Sequence, residues 1–260
     1  MTRKPGRLRR ADFRRGRTFN LREGGRFGYD ARFNFFDMEI LPTVLIASAA
    51  ALVGYVLGSI PFAVIVAKRH GVDILHAGSG NPGATNVKRT CGKAAGNLVF
   101  FLDMFKGFLA AFLPWIALSP ISVVPEQQAA WPHVIAIAQL CGFAGALLGH
   151  CFSMFLKFKG GKGVSTTIGG LLGAMPIAVL VGLVVWLAVY FPTRIVAIAS
   201  MVFGLSLPLT SMILAKAFPQ LGYTTIHVGF CLVVAIFIII MHRSNIARLM
   251  RGEENSFRKK

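Results

Sequence analysis

Two stretches of this chain carry residue types and spacings suited to gripping a phosphate. In GSGNPGATNVKRTCGK, residues 78–93, Ser79, Asn81, Thr85 and Asn86 supply neutral hydrogen-bond donors, and Lys88, Arg89 and Lys93 supply positive charge. The glycines among them let backbone N–H groups approach an anion closely, and successive N–H groups form concave nests for phosphate oxygens. In FKGGKGVSTT, residues 158–167, Lys162 stands just before an expected helix start, where the positive end of the helix dipole also favours an anion. The bland alternative for either stretch is a flexible loop whose cations only set membrane topology.

Other chemistries find less support. The second stretch is not a nucleotide-binding P-loop, because Gly163 follows Lys162 where Ser or Thr is required, and no strand precedes it. The six histidines, at 70, 76, 133, 150, 227 and 242, have Leu75, Asn81, Ala138, Phe155, Leu232 and Ala247 five places on, so no His-x-x-x-x-Asp base pair exists. Two readings stay open for His150, packing residue or catalyst, and two for His242, interfacial residue or ligand. Asp103 and Lys106, three apart on one helical face, either pair with each other or face a site, since charge inside a membrane span is costly. Cys91, Cys141, Cys151 and Cys231 show neither disulfide nor zinc spacing, so neither metal nor cofactor is expected.

The elements that must position these loops are hydrophobic helices. With 55% hydrophobic and only 15% charged residues, and a mean hydropathy of +0.63, the chain cannot cover a soluble globule. We expect an all-α polytopic membrane protein. Apolar runs cover about 40–67 (broken at Gly58, Ser59 and Pro61), 97–118, 133–155, 164–190, 195–214 and 225–241. Pro176 divides the 164–190 run into two short helices, which gives seven transmembrane helices. With seven, every cationic link (68–93, 157–162, Arg194 and the stretch from Arg243) falls on one side, which the positive-inside rule makes cytoplasmic. A net charge of +18 in such a chain points to topology, anionic lipid and anionic substrate, not to nucleic acid.

Residues 1–37 hold eleven Lys or Arg against four acidic residues and no apolar run. They read as a basic, disordered extension, or an untranslated one with Met38 as the start; residues 38–254 form the membrane-embedded domain and 255–260 a basic tail. GFAGALLG (142–149) and GGLLG (169–173) predict close backbone packing, within one chain or between two. A transporter of phosphorylated metabolites is the competing reading. Against it, the cationic loops gather on one side instead of at the midplane, and no inverted repeat with paired broken helices is visible.

The motifs in order, GSIPFAVIVAK (58–68), GSGNPGATNVKRTCGK (78–93), LDMFKG (102–107), GHCFSMFLKFKGGKGVSTTIGG (149–170), TRIVAIAS (193–200) and HRSNIARLMRGEE (242–254), resemble those of the membrane acyl-phosphate:glycerol-3-phosphate acyltransferases. The resemblance spans residues 39–254. It implies a seven-helix fold in the bacterial inner membrane with its active site on the cytoplasmic face. It also implies acyl transfer from acyl phosphate to the 1-hydroxyl of sn-glycerol 3-phosphate, giving 1-acylglycerol 3-phosphate and phosphate, the first acylation of phospholipid synthesis. Ser79, Arg89, Lys162 and Ser200 match the family's phosphate ligands. Asn81, Thr85, Asn86, His242 and Asn245 match its supporting polar shell. Ala63 and Ser153 stand where the family usually has glycine and proline, and both put local backbone shape in question.

Overall fold

The computed structural model describes residues 35–254; the basic extension up to residue 34 and the tail from 255, and with them the expectations about the start and the tail, lie outside the described residues. Among the described residues there are ten α-helices and no strand: α1 (Phe35–Ser59), α2 (Phe62–Arg69), α3 (Ala84–Thr90), α4 (Lys93–Leu118), α5 (Trp131–Cys151), α6 (Val164–Ala174), α7 (Pro176–Thr193), α8 (Val196–Ala217), α9 (Thr225–Met241) and α10 (Arg243–Met250). Segments 40–69, 93–118, 131–156, 176–193 and 196–217 are long and apolar enough to cross a bilayer, and α9 with α10, bent by 54° at His242, makes a sixth if taken as one. The chain is therefore a multi-pass membrane protein. Side chains such as Leu52, Val184 and Val233, each 64–66% exposed, form its apolar exterior.

Helix α4 lies against α2, α3, α5 and α6, while α7 packs on α6, α8 on α7 and α9 on α8. Glycines set these distances. A Cβ on Gly54, Gly107, Gly142, Gly145 or Gly169 would lie within 2.2 Å of a backbone oxygen of a neighbouring helix. The small-residue faces of α5 and α6 thus join helices within one chain: Gly145 meets α1 at Ala51, Gly142 meets α4 at Ala110, and Gly169 meets α4 at Met104.

The helices break where the sequence dictates. The 164–190 run divides at Met175, with Pro176 as the first residue of α7, where its missing N–H is harmless. Between α1 and α2, Pro61 brings no N–H and disfavours helical geometry at Ile60, so the last carbonyls of α1 lose their intrahelical donors. Two side chains replace them: Ser153 Oγ donates to the Ser59 carbonyl at 2.6 Å, and Lys106 Nζ to that of Ile60 at 2.9 Å. Ser153, the departure from proline, thereby satisfies a carbonyl that the membrane interior would leave without water. Ala63, the other departure, fits as a methyl group in the core with Val66, Ile74, Val87 and Val99.

Two helices, α3 and α10, stand in stretches that the sequence marks only as cationic links. Helix α3 is short and polar, with no apolar repeat of its own. It is held by Val87 in that same core and by Gly96, whose missing Cβ admits the Lys88 backbone. Helix α10 continues α9 past the bend at His242.

Candidate active site

Four separate segments converge on one cavity of about 310 Å³. The loop before α3 and α3 itself contribute Ser79, Asn81, Thr85, Asn86, Lys88 and Arg89. The link into α6 contributes Lys162, Gly163 and Ser165. Ser200 comes from the second turn of α8, and His242, Asn245, Arg248 and Glu254 from α10 and its flanks. All nine residues singled out from the sequence therefore meet in one place. Lys93, the third cation of the first stretch, lies exposed at the start of α4 and does not line the cavity.

Each position has a local cause. Asn86 is buried and its amide orders the loop: Nδ2 donates to the Ala77 carbonyl at 2.9 Å, and Oδ1 accepts from the Ser79 N–H at 2.9 Å. Asn86 therefore shapes the turn that presents Ser79. Gly163 caps α6 with φ +81°, a conformation glycine adopts without strain, and a Cβ there would lie 2.3 Å from Leu147. Ser200 is fully buried, and its Oγ accepts a hydrogen bond from Trp186 Nε1 at 3.3 Å; Trp186 stacks on Tyr190, and both rings line the cavity. His242 Nδ1 donates to the Ile238 carbonyl at 2.8 Å, which leaves Nε2 as the acceptor nitrogen.

A chain of polar groups runs along α10. Lys162 Nζ donates to Asn245 Oδ1. Asn245 Nδ2 donates to Glu254 Oε1 at 2.8 Å, and Arg248 Nε donates to Glu254 Oε2 at 2.8 Å. The Glu254 side chain is 4% exposed, so its charge is spent on these two neighbours. Lys88, Arg89, Lys162 and Arg248 thus face a cavity whose acidic lining residues, Glu254 and Asp103, both have cationic partners. Burial is the main force lowering the Lys162 pKa to about 8, Arg248 and Arg89 lower it further, and Glu254 offsets part of this. Burial likewise pulls Arg89 below its ordinary value, opposed by Glu254. An anion entering here relieves repulsion among cations that are already partly desolvated.

Asp103 settles the question that the sequence left open: it pairs and also reaches the cavity wall. Its carboxylate lies 2.9 Å from Lys106 Nζ and 3.5 Å from His150 Nδ1, and all three side chains are buried.

Sequence reasoning passed over Arg248, Glu254, Trp186 and Tyr190. His242, Asn245 and Arg248 recur every three residues, a spacing that shares one helix face and could have pointed to Arg248. The two aromatics sit in a continuous apolar run that also holds Phe191, with no signal to separate them from lipid-facing residues.

These features define a polytopic helical membrane protein with a cationic cavity suited to an anionic ligand. Residues 48–252 match the family model described as glycerol-3-phosphate acyltransferase. The chain is 39% identical to the glycerol-3-phosphate acyltransferase of Geobacter sulfurreducens over 206 residues, which cover 79% of this chain and 95% of that protein. It is also 39% identical to that of Aquifex aeolicus over 204 residues, 78% of this chain and 95% of the relative. Its fold resembles the crystal structure of PlsY (YgiH), an integral membrane glycerol 3-phosphate acyltransferase, in its glycerol 3-phosphate form, with a TM-score of 0.66, 35% identity, and coverage of 84% of this chain and 96% of that one. The lysophosphatidic acid form of the same protein gives a TM-score of 0.65 at 36% identity, covering 82% and 95%. The chain belongs to the glycerol-3-phosphate acyltransferase family.

Proposed function

We propose that this acyltransferase uses acyl phosphate as donor and acylates the 1-hydroxyl of sn-glycerol 3-phosphate, releasing 1-acylglycerol 3-phosphate and inorganic phosphate. The observation that carries the reading is the convergence of Ser79, Arg89, Lys162 and Ser200, from three separate segments, on one cationic cavity beside apolar helices. Both substrates bring a phosphate, and one brings a fatty chain. The glycerol 3-phosphate and lysophosphatidic acid forms of the related crystal structure support the same substrate and product here.

The chemistry follows from the donor. An acyl phosphate is an activated acid, so its carbonyl carbon needs no covalent intermediate on the protein. The 1-hydroxyl oxygen attacks that carbon, the carbon–oxygen bond to phosphate breaks, and phosphate departs with the electron pair. Arg89 and Lys162 hold phosphate oxygens and neutralise the departing charge, and Ser79 and Ser200 orient them by hydrogen bonds. A substrate phosphate oxygen takes the hydroxyl proton. Asn245 and His242 hold Lys162 and the cavity floor, and Asn81, Thr85 and Asn86 hold the first loop. Neither metal nor cofactor takes part.

We read the membrane arrangement as seven spans in the bacterial inner membrane, with α6 as a short seventh element. At ~1.5 Å per residue its eleven residues reach roughly 16 Å, about half the bilayer core. Seven spans put the links 70–92 and 152–163, Arg194 and α10 on one side, and the positive-inside rule makes that side cytoplasmic. The test is Lys162→Ala in purified, folded protein. Acyl transfer to glycerol 3-phosphate should fall at least ~100-fold, the scale of losing an oriented charge at the reacting group, and a folded, fully active variant would sink the assignment.

A further inference from the structure

We propose that His150, held by Asp103, is a positioning residue for Lys162: its ring is the seat on which Gly161 rests, beside Gly160 on the backbone carbonyls of His150 and Cys151, and through Gly161 it fixes where the Lys162 ammonium points. The proposal rests on the placement of Lys162 in the active cavity. His150 occupies the last turn of α5, and its Nδ1 lies 3.5 Å from Asp103 Oδ1. Asp103 is itself fixed by Lys106 at 2.9 Å, and Lys106 by the Ile60 carbonyl at the break between α1 and α2. The ring is thus anchored from one side to the centre of the bundle.

On its other side it meets the loop. A Cβ on Gly161 would lie 2.2 Å from His150 Nε2, 2.9 Å from Cε1 and 3.2 Å from Cδ2, so the Gly161 α-carbon presses on that ring edge. The Gly161 N–H donates to the His150 carbonyl at 3.1 Å. A Cβ on Gly160 would lie 2.0 Å from that carbonyl oxygen and 2.6 Å from the Cys151 oxygen. The two glycines therefore have a second cause besides phosphate approach: only a bare backbone fits against the end of α5.

The same geometry removes His150 from the list of bases. One ring nitrogen faces Asp103 and the other is covered by Gly161, so neither is presented to a substrate hydroxyl, although the residue reaches the cavity wall. Its effect on the reaction passes through Lys162, the next residue in the chain. A displacement of about 1 Å there can cost roughly 100-fold in rate.

A double-mutant cycle tests this. His150→Ala and Gly161→Ala should each lower kcat/KM for glycerol 3-phosphate by about 10- to 100-fold, the first by removing the seat and the second by colliding with it. In the double variant the new methyl group occupies the vacated space, and the loss should be no greater than that of either single variant. Losses that multiply, or a His150→Ala protein with unchanged kcat/KM, overturn the proposal. If His150→Ala does not fold, the cycle is run with His150→Asn, which keeps a donor for Asp103 and removes the ring edge over Gly161, and the same results decide. Amide hydrogen exchange across residues 157–164 reads the seat without any turnover: exchange at Gly161 should quicken at least tenfold in the His150 variant, and unchanged exchange overturns the proposal. That readout separates a failure here from a failure of the acyl-phosphate reading.

Discussion

Lys162 carries a charge that its buried setting disfavours, and the size of that disfavour predicts both a pH profile and a stability change. Its pKa is lowered from the ordinary 10.5 to about 8, chiefly by burial. At ~1.4 kcal/mol for each tenfold change in proton affinity, holding the ammonium there costs roughly 3 kcal/mol. The folded chain binds this proton less tightly than the unfolded chain. Below about pH 8 both forms are protonated and the cost is fully present; between about 8 and 10.5 the folded chain loses its proton first, so stability rises with pH. Lys162→Met removes the charge, so at pH 7 it should stabilise the protein by roughly 1–3 kcal/mol, worth about 2–4 °C of Tm per kcal/mol in a chain of this size. The same substitution should abolish acyl transfer. In the parent protein, kcat/KM for glycerol 3-phosphate reports ionisations of the free enzyme. It should fall about tenfold per pH unit above pH ~8, with an acid limb near pH ~6 from the phosphate of the substrate. Lys162→Arg keeps its charge and should flatten the alkaline limb whatever its rate. The assays are a pH series of initial rates and thermal unfolding in detergent. A profile flat from pH 7 to pH ~9.5, or a Lys162→Met protein less stable than the parent at pH 7, would refute the reasoning.

Arg89→Ala should lower kcat/KM for glycerol 3-phosphate by about 10- to 100-fold, the worth of one charge-assisted hydrogen bond, read from initial rates. Lys106→Met takes from the buried Asp103 carboxylate its nearest cationic partner, leaving His150 at 3.5 Å, and from the Ile60 carbonyl one of its two donors; it should cost roughly 3–5 kcal/mol in unfolding experiments, a loss that the Asp103→Asn, Lys106→Met double variant should largely recover. Gly169→Ala places a methyl carbon 1.7 Å from the Met104 oxygen and should destabilise the α4–α6 contact by about 1–3 kcal/mol, read as a lower Tm.

Chemistry was easier to read from this sequence than geometry. Ser79, Asn81, Arg89 and Lys162 declared themselves because their links combine cations with clustered glycines and small hydrogen-bonding side chains, which topology alone does not require, and the six motifs carried the family. The break at Pro176 followed from proline's missing N–H. Helix α3 escaped notice because its helical state is imposed by burial of Val87 and the approach of α4 at Gly96, which are tertiary contacts. Gly160 and Gly161 look like an anion nest in one dimension, whereas in three they lie on His150. Glu254 gives no hint that its carboxylate is buried, since its partners Asn245 and Arg248 meet it only because the chain turns back at Gly252 after α10 ends. Ser153 reads as a departure from the family, but it closes the α1–α2 break.

The central claim is that this family member draws its acyl group from acyl phosphate. The most direct measurement is phosphate release by the purified chain supplied with palmitoyl phosphate, with and without sn-glycerol 3-phosphate, and with palmitoyl-CoA as the competing donor. Release should depend on glycerol 3-phosphate, with 1-acylglycerol 3-phosphate as the product and no transfer from the CoA thioester. Acylation from palmitoyl-CoA alone, or phosphate release indifferent to glycerol 3-phosphate, would contradict the claim.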